Sequence, residues 1–254
     1  MADFDSPRVI HSRPGIAARL KNALRPIEPY LPSRGTSLAW RPAFGVLRRH
    51  GFRPQTVFDI GVGFGTWALY RAFPDAFFHL VDPTRESLAY MQRLSRRLRC
   101  EIHAVALGDR EGEATLEIRS DIQGSTLLEE VGPRQVLRFD TVPLRRFDRL
   151  FGEIAGPALC KIDVQGAELM VLAGMAARMA AIDVFIIETS TIATVHGGAE
   201  LADVVRFMHE HGFVVADILG LKRRPLDGAT AQLDLLFVRE QSPLRADRRW
   251  AQAA

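Results

Sequence analysis

From Gln55 onward, short apolar runs alternate with longer segments whose apolar residues recur every three or four positions. The runs at 56–60, 76–82 and 101–107 read as strands, and 66–73 and 85–98 read as the helices between them. Strands separated by helices of this length imply a parallel sheet covered by helices. The rhythm then changes. Residues 112–119 and 136–143 alternate polar and apolar side chains, as half-exposed strands do. The span 110–143 therefore reads as an antiparallel insertion over the sheet's C-terminal edge, with a loop at 121–126. Beyond it, 158–163 and 183–188 read as strands, and 167–179 and 201–212 as helices. Runs at 213–219 and 233–238 close the set as an antiparallel edge pair. The expected fold is α/β, a mostly parallel seven-stranded sheet with helices on both faces and an antiparallel insertion.

Ahead of this pattern, residues 1–36 are rich in proline and arginine and read as an extension with a short helix at 14–24. A helix is expected at 38–51, stopped by Gly51. The main domain is placed at 37–240, with a tail at 241–254.

Charge changes this picture little. The net charge is +3 but uneven: up to Arg53, ten bases face three acids, a balance of +7 against −4 for the remainder. A basic arm can meet nucleic acid or anionic lipid. Here the bases are dispersed and not interleaved with aromatics, so a solvated surface is expected and no nucleic-acid partner. The two cysteines, Cys100 and Cys160, lie in or beside strand-like runs and read as buried free thiols. With no signal-peptide pattern and no membrane-length apolar run, a cytoplasmic protein without a transmembrane segment is expected.

Chemistry concentrates in two stretches. Val57-Phe-Asp-Ile-Gly-Val-Gly-Phe-Gly-Thr66 is an apolar run ending in an acid and opening into three alternate glycines. Such a loop lets backbone approach a ligand closely. Thr66 stands where a dinucleotide fingerprint has its last glycine, which points away from NAD and toward S-adenosylmethionine. Ligands of open α/β sheets bind outside the carboxyl ends of the strands. The acids expected there are Asp59, Asp82, Asp109, Asp163 and Glu188. Asp82, 17 residues after Gly65, can accept hydrogen bonds from ribose hydroxyls, or alternatively cap the next helix beside Thr84. Asp59 can hold the glycine loop through backbone N–H groups and compensate a cationic ligand. A sulfonium and an ammonium suit these carboxylates, whereas a pyrophosphate is repelled.

The second stretch is Lys161-Ile-Asp-Val-Gln-Gly-Ala-Glu168. It places Asp163 at a strand end, Lys161 on the same face as a partner, and Glu168 in the first turn of a helix. Asp217 and Asp234, on the last two strands, read as edge or pairing residues, with the border of an acceptor pocket as the alternative. His196 lies in a loop where it can act as a base. The other histidines, His79 and His103 among them, read as residues without partners.

The chain also resembles the FkbM-type methyltransferases. The resemblance runs from about Pro54 to Arg239 and rests on an ordered set of motifs. These are Val57-Phe-Asp-Ile-Gly, Ala104-Val-Ala-Leu-Gly-Asp109, Gly124-Ser-Thr-Leu127, Lys161 to Glu168, Val171-Leu-Ala-Gly174 and Phe185-Ile-Ile-Glu188. It implies a Rossmann-like class I methyltransferase fold and S-adenosylmethionine-dependent O-methylation of a hydroxyl on a small molecule, sugar, glycan or polyketide-like acceptor. It carries Asp59, Gly61, Gly63 and Asp82 to the cofactor, with Gly65 in the same loop, places Ala106, Leu107 and Asp109 near the adenine, and sets Ser125 over the cofactor. The family usually has Glu in the places of Asp82 and Gln165. Asp163, Glu188 and His196 are the candidates for orienting or deprotonating the acceptor, and Asp163 also borders the cofactor. No metal ligand set is assigned. Oxygen ligation of Mg²⁺ by Asp163 and Glu188 is an alternative to a protein base. A non-catalytic cofactor-binding protein, or a methyltransferase acting on a macromolecule, is the alternative reading. The Asn/Asp-Pro-Pro-aromatic run common in base methylation is absent, since the corresponding place reads Asp163-Val-Gln-Gly. Oligomeric state is left open, a homodimer included.

Overall fold

The computed structural model describes residues 40–119, 124–131 and 136–249. The extension at 1–36 with its 14–24 helix, part of the 121–126 loop, and residues 250–254 lie outside the described residues.

Seven strands form the main sheet. β1 (Thr56–Ile60) is flanked by β2 (Phe77–Val81) and, beyond it, β3 (Cys100–His103). On the other side of β1 come β7 (Ala158–Ile162), β8 (Val184–Ser190), β10 (Thr230–Arg239) and β9 (Phe213–Arg223). The order is β3-β2-β1-β7-β8-β10-β9, with β10 antiparallel to both its neighbours and the rest parallel. The order turns at β1 and β7, and a crevice opens there at the carboxyl ends. This is the expected Rossmann-like class I methyltransferase arrangement. A second sheet holds β4 (Ala106–Leu107), β6 (Val136–Arg145) and β5 (Gly112–Arg119), ordered β4-β6-β5. Its β5–β6 pair is the expected antiparallel insertion.

Helices cover both faces. Val57, Phe78, Leu80, Leu159 and Ile186 pack against α1 (Trp40–Arg49), α2 (Trp67–Ala72) and α3 (Arg85–Leu94). Phe58, Ile60, Cys160, Ile162 and Phe185 pack against α4 (Phe147–Leu150), α5 (Glu168–Met175) and α6 (Leu201–Glu210). Every residue of β1 and β7 is buried, as double coverage requires. α1 buries Ala43, Phe44 and Leu47 at helical spacing. It ends as expected at Gly51 (φ 82°), with the Phe52 amide donating to the Leu47 carbonyl.

Two expectations change. The run at 101–107 is not one strand. β2 ends at Val81, which pairs with His103, so the chain loses its partner, leaves the main sheet, and pairs again as β4 with Leu144 and Arg145. The helix expected at 167–179 is α only over Glu168–Met175 and continues as a 3₁₀ turn, Ala176–Ala181. The cysteines are free, Cys160 fully buried and Cys100 half-buried. Among the described residues no helix is long and apolar enough to cross a membrane.

Candidate active site

A cavity of about 260 Å³ opens at the carboxyl ends of β1, β2, β7 and β8, beside the amino-terminal half of the antiparallel β10. Its floor is the glycine loop after β1. Gly61, Gly63 and Gly65 all have positive φ, at 77°, 53° and 94°. The loop is tied to β2 by Asp82, whose Oδ2 accepts from the Gly63 amide at 2.9 Å. Its Oδ1 accepts from the Thr84 amide at 2.9 Å and the Thr84 hydroxyl at 2.7 Å. A carboxylate has about four acceptor positions, so roughly one is left to face a ligand. Burial raises the pKa of Asp82, and these hydrogen bonds oppose that rise. The capping of α3 falls to Thr84, whose Oγ1 accepts from the Ser87 amide at 3.2 Å.

Beneath the loop lies a buried charge cluster. Lys161 Nζ donates to the Gly61 carbonyl at 2.6 Å and sits 3.4 Å from Asp59 and 3.5 Å from Asp163. Burial works against its charge, but Asp163 and Asp59 outweigh that and hold it protonated. Asp59 is fully buried and accepts from the Thr66 hydroxyl at 3.1 Å and the Tyr70 hydroxyl at 2.5 Å. It holds the loop through hydroxyls and an ammonium, not through the backbone amides expected from sequence.

Across the cavity three carboxyls stand on neighbouring strands. Asp163 follows β7, Glu188 lies on β8, and Asp234 on β10 pairs directly with Glu188 in the ladder. Gln165 bridges the first two: its Nε2 donates to Asp163 Oδ1 at 2.7 Å and Glu188 Oε2 at 2.6 Å. Gln165 reaches them from the left-handed region (φ 57°), the one described non-glycine residue there. The conformation is held by the Thr126 hydroxyl, which donates to the Gln165 carbonyl at 2.8 Å. A second amide, Gln232, donates to Glu188 at 2.8 Å. Glu188 is pushed well above its ordinary pKa by burial first, then by Asp163 and Asp234. Asp234 is raised to about 6 by burial and Asp163, while the Trp40 indole donates to it at 3.1 Å.

Glu168 lies just behind this wall. It is buried, and its Oε1 accepts from the Val164 and Gly166 amides at 3.2 and 3.1 Å. Burial raises its pKa to about 7. A carboxyl raised on folding binds its proton more tightly in the folded state, so its contribution is full below the unfolded pKa and is lost as pH rises toward 7. Urea unfolding at pH 5 and pH 8 is expected to show a loss for this group of about 2 kcal/mol. Glu168→Gln should flatten that slope, and an unchanged slope removes Glu168 as its source.

The sequence model of the methyltransferase FkbM domain matches residues 59–215, which include the glycine loop, Asp82, the Lys161–Glu168 stretch and Glu188. The chain belongs to the FkbM methyltransferase family. No curated protein matches the chain. Among solved structures it is similar to the Burkholderia thailandensis 1,6-didemethyltoxoflavin-N1-methyltransferase with bound S-adenosylhomocysteine. That likeness has 17% identity, 94% of each chain covered and a TM-score of 0.41. It is also similar to the Synechocystis PCC 6803 magnesium protoporphyrin IX methyltransferase with bound S-adenosylmethionine. There the identity is 11%, the coverage 87% of this chain and 96% of that one, and the TM-score 0.44.

Of the residues expected at the site of this FkbM methyltransferase, Gly61, Gly63, Gly65, Asp82, Ala106, Leu107, Ser125, Asp163 and Glu188 line the cavity. Asp59 stands behind its wall. Asp109 is exposed, with its side chain 3.6 Å from Arg110. His196 is exposed on the loop after β8 and is not among the residues lining the cavity. Asp217 is exposed at the edge, as expected. Asp234 is not an edge residue: it lines the cavity with Trp40. The sequence signal for Asp234 was an acid inside an apolar run, which has meaning only once β10 is known to lie beside β8.

Proposed function

We propose that this methyltransferase takes its methyl group from S-adenosylmethionine and passes it to a hydroxyl of a small-molecule, sugar or glycan acceptor. The observation that carries the reading is the two-sided cavity. One side is the Asp82-tethered glycine loop, and the other is the Asp163–Gln165–Glu188 bridge. The loop side suits a nucleoside: Gly61 and Gly63 line it without side chains that would fill it, the free acceptor position of Asp82 meets a ribose hydroxyl, and Ala106 and Leu107 offer an apolar wall for adenine. The acidic lining suits a sulfonium and an ammonium.

S-adenosylmethionine held on the loop side would supply the methyl group to an acceptor oxygen on the far side, with its carbon–sulfur bond breaking and a neutral thioether left behind. Positioning supplies much of the rate. The hydroxyl proton passes to a carboxylate. Glu188 suits this role because a carboxylate of raised pKa is the stronger base, and Asp163 orients the hydroxyl. Trp40 and Asp234 border the acceptor side.

Calorimetry with S-adenosylmethionine is expected to show binding that Asp82→Ala weakens by roughly tenfold or more, about 1.4 kcal/mol. NAD should show none. With carbon-13 methyl-labelled cofactor and a panel of hydroxylated acceptors, the label should appear as a methyl ether. NAD binding in place of S-adenosylmethionine overturns the cofactor, and transfer to nitrogen alone overturns the acceptor class.

A further inference from the structure

On the opposite side of the sheet edge from α3, three potential ligands converge that the methyl-transfer chemistry does not use. His79 lies on β2, and Glu101 and His103 lie on β3, where His79 and Glu101 are direct partners in the parallel ladder. His79 Nδ1 and His103 Nε2 are 3.1 Å apart. Glu101 Oε2 is 3.6 Å from the first and 3.7 Å from the second. The sequence gives no hint of this, because the two histidines are 24 residues apart.

We propose that His79, Glu101 and His103 bind one divalent transition-metal ion of the zinc class. The triangle itself is the argument. A point equidistant from the three atoms lies about 2 Å from each, and zinc binds imidazole nitrogen and carboxylate oxygen at about 2.0–2.2 Å. Two imidazoles and one carboxylate are also the donor set that a borderline-soft cation prefers over Mg²⁺ or Ca²⁺. Three protein ligands leave a fourth position, and a cavity of about 830 Å³ lined by the same three residues gives water access to it.

The rings are held in place independently of any ion. His79 stacks on Phe58 with centroids 4.8 Å apart, and Phe151 packs against both rings at 4.9 and 5.0 Å. Two facing ring nitrogens at 3.1 Å must share a proton when no cation lies between them. The ion replaces that proton, which moves to the other nitrogen of the same ring, so binding changes a tautomer and releases no proton. The aromatic packing fixes both rings for such a site, much as outer-shell contacts orient metal-bound histidines. The site also touches the cavity wall, because the Asp82 amide donates to the His103 carbonyl at 3.2 Å.

The test is calorimetry of the full, untagged chain with zinc sulfate, after chelator treatment and dialysis. About one equivalent is expected to bind at roughly micromolar Kd or tighter, near −8 kcal/mol. His79→Gln and His103→Gln should abolish that binding. Glu101→Gln, a change at a side chain 59% exposed, should keep the fold and weaken zinc by at least about tenfold. Cobalt(II) in place of zinc should develop visible absorption in the wild type and lose it in the same variants. If the wild type binds no equivalent of zinc, or if Glu101→Gln binds it as tightly as wild type, the site does not exist.

Discussion

Asp163→Ala is expected to lower methyl transfer by roughly 10²- to 10⁴-fold, the range of a lost acid–base or orienting group, while S-adenosylmethionine affinity stays within a few-fold. Asp163 sits at the junction of the two halves of the cavity, 3.5 Å from Lys161 and 2.7 Å from Gln165. Removing it frees the Gln165 amide and leaves Glu188 unguided, but Asp59 still pairs with Lys161 beneath the glycine loop. The cofactor side therefore persists. Glu188→Gln separates orientation from proton acceptance. The raised pKa of Glu188, caused first by burial, means that its carboxylate becomes available only as pH rises above the ordinary carboxyl range. Wild-type turnover at saturating cofactor should rise with pH through that titration, and Glu188→Gln should show a low rate without that rise. A fully active Asp163→Ala enzyme, or an unaltered pH profile in Glu188→Gln, removes the carboxyl pair from the chemistry.

How far the sequence foretold this site depends on how local each interaction is. The glycine loop and Asp82 were legible because a strand, a tight turn and a strand-end acid leave marks within a few residues of one another. So was the pairing of Lys161 with Asp163, two residues apart on one face of a strand. The inward turn of Asp59 was not, since its partners come from the next helix and from β7. The place of Asp234 in the cavity was hidden for a related reason. The register that sets it opposite Glu188 depends on where β10 enters the sheet, and β10 pairs with β9 through several register shifts. The split of the 101–107 run also needed the length of β2, because a strand stays in a sheet only while it has a neighbour to bond. Gln165 is the most instructive case. Sequence marked it as a lost charge, whereas the structure makes it an amide donor between two carboxylates that would otherwise repel.

Gly61→Ala is expected to remove cofactor binding and to destabilise the chain by about 3 kcal/mol or more, placing it among severe single substitutions. Two costs coincide at this position. The residue has φ of 77°, which a side chain tolerates at about 1–2 kcal/mol. An added Cβ would also lie 1.8 Å from the Asp163 carbonyl oxygen, a backbone atom that cannot swing away. Relief would require the glycine loop and the end of β7 to separate. That separation would pull the Gly61 carbonyl from Lys161 and shift Asp163 from Gln165, so both sides of the cavity would fail together. Gly228→Ala isolates the first cost, since Gly228 has φ of 76° and nothing within 4 Å of a new Cβ. Thermal unfolding should place the Gly228 variant a few degrees below wild type and the Gly61 variant roughly 10 °C below. Equal losses in the two variants would mean that the contact with Asp163 is not what the glycine protects.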